Sequence, residues 1–322
     1  MVDLVSLGEL LVDFTPVGES AAGNPLFERN PGGGPANLAC AAAKLGVRAS
    51  FIGQVGDDAF GRDLRRILAE TGVDTWRLRL SPLYQTTLAF VHLAPDGDRS
   101  FSFYRRQGAD TMLEPEKADY TLIESSRCFY YSGVLLTGGP SRETSFSLAA
   151  HAKEKGVTTV YDPNLRLNLW ESEDEARRVI LHAMQFADIV KVSEEELLFL
   201  TGEPDGERAA RQLQAAYGMT ALIVTLGARG CFLLMKGTIT MVPGFPVQAV
   251  DTTAAGDSFT GGFLYGLLQG QTPLAARPPE RLREMLLFAN AVGALTTTRK
   301  GAISALPSYE EVLDFLQKHG CT

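Results

Sequence analysis

The sequence has few cysteines, and their spacing excludes the sites that cysteine clusters build. The four cysteines lie at positions 40, 128, 231 and 321 of a 322-residue chain, and no two form a Cys-x-x-Cys pair. Zinc ribbons and related structural zinc sites need such pairs, so they are excluded. Cys40 and Cys231 lie in apolar segments that are typical of small buried side chains. We therefore expect a protein of a reducing compartment, the cytoplasm.

Long apolar runs and excess positive charge are also missing. No run approaches the roughly 18 apolar residues of a membrane span. The first residues, MVDLVSLGELLVDF, have neither a basic segment nor a small-residue cleavage site typical of a secretory signal. Thirty Lys and Arg stand against 38 Asp and Glu, a formal net charge of −8. A general nucleic-acid binder needs a basic face. We expect no membrane partner and no nucleic-acid partner.

Glycine, in contrast, is abundant. The chain has 32 glycines among 322 residues, above the roughly 7% of an average protein. They cluster at 32–34, 227–230 and 256–262. Because glycine has no side chain, such clusters indicate places where the backbone approaches a ligand closely.

Strand-like and helix-like segments alternate after residue 120. Apolar segments at 128–132 and 158–162 favour strands, and the segments at 141–155 and 173–186 favour helices. This alternation predicts an α/β fold, a three-layer α-β-α sandwich with a mostly parallel central sheet. No linker is long enough to divide the chain. We therefore expect a single domain over residues 1–322.

Two further segments have β-strand character outside this alternation, at about 12–31 and 76–106. Within the second, Pro95-Asp96-Gly97-Asp98 separates two β-rich runs. Glycine accepts the positive φ that a tight hairpin turn requires, so a hairpin is predicted here. We expect the two segments to form a small β appendage, a lid beside the main sheet.

The segment that carries most chemistry is Asp251-Thr252-Thr253-Ala254-Ala255-Gly256-Asp257, which leads directly into an apolar helix. Free backbone N–H groups at a helix start bind anions, and the helix dipole assists them. A carboxylate there, that of Asp257, can accept a proton from an attacking hydroxyl. The alternative is that Asp257 only stabilises the helix start.

This segment resembles the C-terminal signature of the ribokinase-like (PfkB-type) sugar kinases, usually Asp-Thr-x-Gly-Ala-Gly-Asp. The resemblance implies that Asp257 is the catalytic base and that Ala254, Ala255 and Gly256 form the anion hole. Alanine at 254 replaces the usual glycine and tolerates positive φ poorly. Residues 30–37, NPGGGPAN, are similar to the family's Gly-Gly-x-x-x-Asn segment. No GxxxxGK[ST] motif occurs, so a P-loop is excluded.

The resemblance extends from Gly8 to Pro307 and implies further roles. The sugar-binding residues it implies are Asp13, Gly33, Gly34, Asn37, Arg105, Asn164, Arg166 and Asp257. The nucleotide-binding residues it implies are Lys191, Ser193, Glu196, Thr225, Gly227, Gly230, Gly256 and Asn290. Glu196 would organise Mg²⁺ through water, and Ser193 stands where asparagine is usual. A monovalent cation would be held by Asp251, Thr253, Thr296 and Gly301.

The resemblance implies ATP and Mg²⁺ as cofactors, K⁺ as a further activator, and a small-molecule sugar as substrate. The segments GELLVDFTP, FYR and DPNLRLNLW are similar to fructokinases, so we expect phosphorylation of fructose to fructose 6-phosphate. The alternatives are 2-keto-3-deoxygluconate kinase, since arginines match a carboxylate in a bidentate manner, and aminoimidazole riboside kinase. A non-catalytic sugar or nucleotide sensor is the alternative outside enzymes, favoured by the departures at Ala254 and Ser193. The lid could also join two copies as a homodimer.

Overall fold

The computed structural model describes residues 2–93 and 99–321, so the predicted turn Pro95-Asp96-Gly97-Asp98 lies outside the described residues. Its strands are β1 (Leu4–Leu7), β2 (Leu11–Glu19), β3 (Pro25–Gly32), β4 (Ala49–Gly56), β5 (Leu78–Ser81), β6 (Leu88–Leu93), β7 (Arg99–Tyr104), β8 (Cys128–Ser132), β9 (Thr158–Asp162), β10 (Ile189–Ser193), β11 (Ala221–Thr225), β12 (Cys231–Met235) and β13 (Thr238–Val242). Its helices are α1 (Gly34–Lys44), α2 (Ala59–Glu70), α3 (Lys117–Glu124), α4 (Pro140–Glu154), α5 (Glu173–Ala183), α6 (Glu194–Thr201), α7 (Gly206–Tyr217), α8 (Ala255–Leu268), α9 (Pro279–Thr297) and α10 (Tyr309–Lys318).

The central sheet has nine strands in the order β13-β12-β11-β10-β9-β8-β1-β4-β5. From β11 to β5 all neighbours are parallel, whereas β12 and β13 form an antiparallel edge. Helices connect the parallel strands, as such crossovers require. The predicted fold class, an α-β-α sandwich around a mostly parallel sheet, is confirmed.

Side chains along each strand alternate between two helical layers. In β1, Leu4 joins the core formed with α1, α8 and α9, whereas Val5 and Leu7 join the core formed with α4, α5 and α7. Both faces of the sheet are therefore apolar, which explains the continuous apolar runs in its strands. No helix in the described ranges is long and apolar enough to cross a membrane.

A second, four-stranded sheet has the order β3-β2-β6-β7, and its strands lie within residues 11–32, 88–93 and 99–104. The lid segment predicted at 76–106 is thus too long at its start. Residues 78–81 form β5, which pairs with β4 at the edge of the central sheet because Leu78 is buried in the core there. In the small sheet, Asp13 and Phe103 flank Ala89 on one face, and Phe14 and Phe90 lie on the other.

The backbone before α8 is strained. Ala254, the residue that precedes this helix, has φ 59° and ψ 9°, in the left-handed region. A side chain with a Cβ atom is disfavoured there by about 1–2 kcal/mol. The surrounding fold therefore holds Ala254 in a conformation that glycine would adopt more easily.

We expect Ala254→Gly to raise the free energy of unfolding by about 0.5–1 kcal/mol, because it relieves this strain. The matched control is Ala69→Gly, at an exposed helical position of α2. It should lower the free energy of unfolding by about 1 kcal/mol. Urea denaturation of both variants measures the two changes, and destabilisation by both substitutions would contradict strain at Ala254.

Candidate active site

A cleft of about 540 Å³ lies beyond the carboxyl ends of the parallel strands, between the central sheet and the small sheet. Residues that follow β1, β9, β10 and β11 line it, together with the segment before α8. In open parallel sheets this edge is where ligands bind. The fold thus brings loops that are distant in sequence to one site.

The carboxylate of Asp257 lies at the centre of the cleft, in the first turn of α8. Its Oδ2 accepts a hydrogen bond of 2.9 Å from Nδ2 of Asn37, in α1. A Cβ atom added to Gly34 would lie 3.1 Å from Asp257 Oδ1 and 2.4 Å from Nδ2 of Asn164. The missing side chain at Gly34 therefore allows three polar groups to meet around one point.

Lys191 supplies positive charge beside the start of α8. A Cβ atom on Gly256 would lie 3.2 Å from its Nζ, which is also 3.0 Å from Oδ2 of Asp162. Burial lowers the pKa of Lys191, but the carboxylates of Asp162 and Glu196 outweigh burial and raise it overall. The ammonium is thus charged at neutral pH, next to backbone N–H groups that favour an anion.

The small sheet contributes Asp13, whose side chain faces the same cleft. Burial raises the pKa of Asp13 to about 7; Arg166 acts to lower it and Asp257 to raise it. Asn164, with φ 42°, lies between these elements, and its N–H donates to Asp162 Oδ1. A carboxylate, an amide and a guanidinium so placed can bind several hydroxyl groups of one small molecule.

Glu9 is a site residue that the sequence analysis missed. Its Oε1 accepts a hydrogen bond of 2.9 Å from the N–H of Gly34, and Ser132 donates to Oε2 at 3.2 Å. A Cβ atom on Gly33 would lie 2.3 Å from the carbonyl oxygen of Glu9. Glu9 thus positions the glycine-rich segment through both its side chain and its backbone. The sequence could have indicated Glu9 by its position just after β1, at the edge of the sheet where ligands bind.

Most of the predicted site residues line this cleft. They are Asp13, Gly33, Gly34, Asn37, Asn164, Arg166, Lys191, Ser193, Glu196, Thr225, Gly227, Thr253, Ala254, Ala255, Gly256 and Asp257. The cleft also contains residues that were not predicted. These are Glu9, Leu11, Phe103, Val134, Leu169, Glu194, Glu195, Leu226 and Thr252. The apolar residues among them could not be recognised from the sequence, because apolar residues of the core occur in the same pattern.

Arg105 was predicted to bind sugar, but it does not line the cleft. Its guanidinium is buried, with Nε 2.7 Å from Asp110 Oδ2 and further bonds to Thr137 Oγ1 and the carbonyl of Val134. These hydrogen bonds attach Arg105, at the end of β7, to the part of the protein that contains the central sheet.

Gly230 and Asn290 also lie outside the cleft. A Cβ atom on Gly230 would lie 2.2 Å from the carbonyl oxygen of Val242. Nδ2 of Asn290 donates to that same carbonyl at 3.3 Å and to the carbonyl of Pro243 at 3.0 Å. Both residues shape the end of β13 rather than a ligand surface.

Glu196 and Ser193 form a capping box at the start of α6. Ser193 Oγ accepts from the N–H of Glu196, and Glu196 Oε2 accepts from the N–H of Ser193 at 2.7 Å. Glu196 Oε1 accepts from the N–H of Leu165, also at 2.7 Å. The carboxylate is therefore fixed in direction at the edge of the cleft. Its oxygens retain lone pairs that can accept from water.

The residues predicted to hold a monovalent cation are close together. Asp251 Oδ1 accepts from the N–H of Thr253 at 3.0 Å, and Asp251 Oδ2 accepts from the N–H of Gly301 at 3.1 Å. The N–H groups of Val250 and Asp251 both donate to the carbonyl of Thr297. Thr296, one residue earlier, is buried and donates its hydroxyl to Val292. Within residues 2–93 and 99–321, no group of three or more His, Cys, Asp or Glu side chains forms a metal site.

The buried carboxyl of Glu9 predicts a specific pH dependence of stability. Burial raises its pKa from 4.5 to about 7, although its hydrogen bond from Gly34 and the charge of Arg105 act to lower it. Between these values the unfolded chain has lost the proton that the folded chain keeps, so stability falls as pH rises. Glu9→Gln removes this contribution.

We therefore expect the free energy of unfolding of Glu9→Gln, measured relative to the wild type, to increase from about pH 4.5 to about pH 7 and then to level off. Urea denaturation of the ligand-free proteins across this range measures the difference. Glu143→Gln, at an exposed position in the first turn of α4, is the control and should show no such trend. A constant difference for Glu9→Gln would contradict the raised pKa.

Comparisons with known proteins agree with this geometry. A sequence profile of the pfkB family carbohydrate kinases matches residues 1–309. The chain is 44% identical to a probable fructokinase-4 of Arabidopsis thaliana over 318 residues, 98% of this chain and 96% of that protein. It superposes with a TM-score of 0.90 on a fructokinase from Xylella fastidiosa solved with bound ATP, at 34% identity over 99% of both chains. A fructokinase double mutant from Vibrio cholerae, solved with fructose, ADP and potassium, gives a TM-score of 0.88 at 35% identity over 98% of both chains. The chain belongs to the pfkB family of carbohydrate kinases.

Proposed function

We propose that this protein is a fructokinase, which transfers the γ-phosphoryl group of ATP to the C6 hydroxyl of D-fructose. The observation that carries the proposal is the place of Asp257, which accepts a hydrogen bond from Asn37 in one arm of the cleft and interacts electrostatically with Lys191 in the other. One arm presents hydroxyl-binding side chains and the other presents Lys191 and backbone N–H groups. The similarity to fructokinases over nearly the whole chain supports the choice of sugar.

The first arm binds the sugar. Asp13, Asn37, Asn164 and Arg166 offer complementary donors and acceptors, and Gly33 and Gly34 allow the sugar to lie against the backbone. The exposed part of the Phe103 side chain lies on the same side of the cleft. A bound sugar then places one hydroxyl beside Asp257, which orients it for attack.

The second arm holds the nucleotide. Ser193 and Thr225 end β10 and β11, Gly227 follows β11, and all three line the cleft. We assign the N–H groups at 254–257 to the transferring phosphoryl group, although that of Ala255 also donates to the carbonyl of Thr252 at 3.3 Å. The C6 oxygen forms a bond to the γ-phosphorus while the bond to the leaving ADP oxygen breaks. The proton of the hydroxyl passes to Asp257. The N–H groups and Lys191 stabilise the charge that spreads over the phosphoryl oxygens.

Mg²⁺ would bind in the second arm of the cleft together with the phosphates of ATP. Because Mg²⁺ keeps several waters and binds phosphates, it needs few protein ligands, and the fixed carboxylate of Glu196 can accept from one such water. We propose K⁺ for the loops at 251–253 and 296–301, which are joined by the hydrogen bond from the N–H of Gly301 to Asp251 Oδ2. The first of these loops directly precedes the anion hole. Bound Mg²⁺ would neutralise phosphate charge.

Testing this function requires a panel of sugars. We expect the highest kcat/KM for fructose with Mg-ATP, compared with ribose, 2-keto-3-deoxygluconate and aminoimidazole riboside, in a coupled assay of ADP release with and without K⁺. Asp257→Ala should lower kcat by about 10²–10⁴-fold with a modest change in fructose affinity, because the proton acceptor is lost while Asp13, Asn164 and Arg166 still bind the sugar. Asp205→Ala, at the exposed start of α7, is the matched control and should retain full activity.

Three other results would contradict parts of this proposal. A clearly better rate with another sugar would overturn fructose as the substrate. No turnover with any sugar would favour a sensor. Near-normal turnover of Asp257→Ala would exclude its role as the base.

We further propose a cytoplasmic homodimer joined through the small sheet. The outer face of that sheet carries an aromatic cluster in which Phe90 contacts Phe14, Phe27 and Tyr104. Tyr104 is 69% exposed and Phe27 38% exposed. Apolar area of this kind on a sheet face is typical of an interface with a second copy. The four cysteines are unpaired, as in a reducing compartment.

Sedimentation velocity tests the dimer. We expect Phe27→Glu combined with Tyr104→Glu to convert a dimer into a monomer, because charge on the aromatic face is costly to bury. Met241→Glu, an exposed apolar position on β13, should leave the dimer intact. A wild-type monomer at micromolar concentration would contradict the proposal.

A further inference from the structure

Three tyrosines are fully buried in the central sheet, and two of their hydroxyls have no partner among the described residues. Tyr131 donates to the carbonyl of Ala183 at 2.7 Å. The hydroxyls of Tyr130 and Tyr161 make no hydrogen bond with any described group, and both side chains are 0% exposed. A buried hydroxyl without a partner is costly, and phenylalanine would fill the same space without that cost.

The two unpartnered hydroxyls lie on opposite faces of the sheet. Tyr130 belongs to the core formed with α1 and α8, the two helices that carry Asn37 and Asp257. Tyr161 belongs to the core formed with α4 and α5. The same chemical group is therefore buried once beneath the cleft and once on the opposite face.

Tyr130 lies beside Ser6 of the neighbouring strand β1. Ser6 pairs in register with Tyr130, and Ser6 Oγ donates to the carbonyl of Pro35 at 2.9 Å. Pro35 is in the first turn of α1, two residues before Asn37. The ring of Tyr130 thus lies one strand away from the contact that supports this turn.

Asn37 has an unsatisfied atom of the complementary kind. Its Nδ2 donates to Asp257, but its Oδ1 is buried and accepts from no described group. An asparagine amide can be turned by 180°, which would place Oδ1 against the carboxylate. Repulsion between Oδ1 and the carboxylate disfavours that turned orientation, and a donor at Oδ1 would hold the productive one more firmly.

The electrostatics around Tyr130 agree with this location. Burial raises the pKa of its hydroxyl far above the ordinary value, and the carboxylates of Asp162, Asp257 and Glu9 raise it further. The hydroxyl therefore stays protonated at neutral pH and can donate a hydrogen bond. Tyr161 is influenced by Asp162 and Glu196 but not by Asp257.

We propose that Tyr130 is a positioning residue for the catalytic base, its hydroxyl donating through one buried water to Oδ1 of Asn37. This network holds the amide of Asn37 with Nδ2 toward Asp257 and so directs the carboxylate at the substrate hydroxyl. A water needs two or more polar partners in such a place, and these two atoms provide them. The proposal rests on the proposed kinase function, since Asp257 acts there.

Kinetics of Tyr130→Phe and Tyr161→Phe separate this role from a purely structural one. We expect Tyr130→Phe to lower kcat about tenfold, as for the loss of one hydrogen bond, with KM for fructose nearly unchanged. Tyr161→Phe removes the same group from an equally buried site and should keep wild-type kcat. Tyr161→Phe should be at least as thermally stable as the wild type, because it removes an unpartnered hydroxyl, whereas Tyr130→Phe should be slightly less stable, because it removes a donor from the network. Equal kcat values for the two variants would overturn the proposal.

A double-mutant cycle tests whether Tyr130 acts through Asn37. In the Asn37→Ala background, Tyr130→Phe should have no further effect on kcat, since the group that it positions is gone. A tenfold loss that adds fully to that of Asn37→Ala would exclude this route.

Crystal structures of the ligand-free proteins provide a readout that does not depend on activity. The wild type should show an ordered water within hydrogen-bond distance of both Tyr130 Oη and Asn37 Oδ1, and Tyr130→Phe should lack it. If this water is present but no sugar is phosphorylated, the kinase function fails and the network stands. If sugars are phosphorylated but no water is present, the network fails alone.

Discussion

The hydrogen bond between Asn37 and Asp257 joins residues 220 positions apart and depends on how closely two helices can approach. A Cβ atom on Gly261, one turn along α8 from Asp257, would lie 2.8 Å from the Cβ of Ala41 in α1. Only with small residues at this contact do α1 and α8 come near enough for the amide to reach the carboxylate. The glycine-rich segment before α1 and the strained Ala254 before α8 then set the direction of each helix start. Sugar site and anion site are thus joined by one helix pair.

The chain concentrates negative charge around a site that must bind a highly charged anion. Glu9, Asp13, Glu196 and Asp257 all line the cleft, against Lys191 and Arg166 as its cationic residues within the described ranges. Backbone N–H groups resolve this conflict, because they attract phosphate without requiring a basic surface. An acidic protein with a net charge of −8 can therefore bind a nucleotide. Burial is the main reason that the pKa values of Glu9 and Asp13 are high, and the carboxylate of Asp110 acts further on Glu9 and that of Asp257 on Asp13.

Much of the fold and of the site could be predicted from the sequence, because both depend on local patterns. Strand and helix periodicities, and motifs such as 251–257, are readable within a few residues. Arg105 and Asn290 could not be placed in this way. The partners of Asn290 are carbonyl groups 47 and 48 positions away, and Arg105 contacts residues up to 32 positions away. A polar side chain that supports a loop and one that binds a ligand have the same sequence signature. Residues 78–81 could not be placed from local patterns either, because their position at the edge of the central sheet depends on pairing with β4.

The buried guanidinium of Arg105 has a mechanical consequence. It attaches the root of β7 to Asp110 and to the carbonyl of Val134, in the region where the small sheet leaves the central one. The strands of that sheet are also hydrogen-bonded to each other, so they move together. A sheet that is attached at one end and rigid along its strands rotates about that end, so its opposite end moves farthest. If the sheet rotates about Arg105, the ends of β2 and β3 near Glu19 and Pro25 move farthest, and Asp13, near the start of β2, moves least.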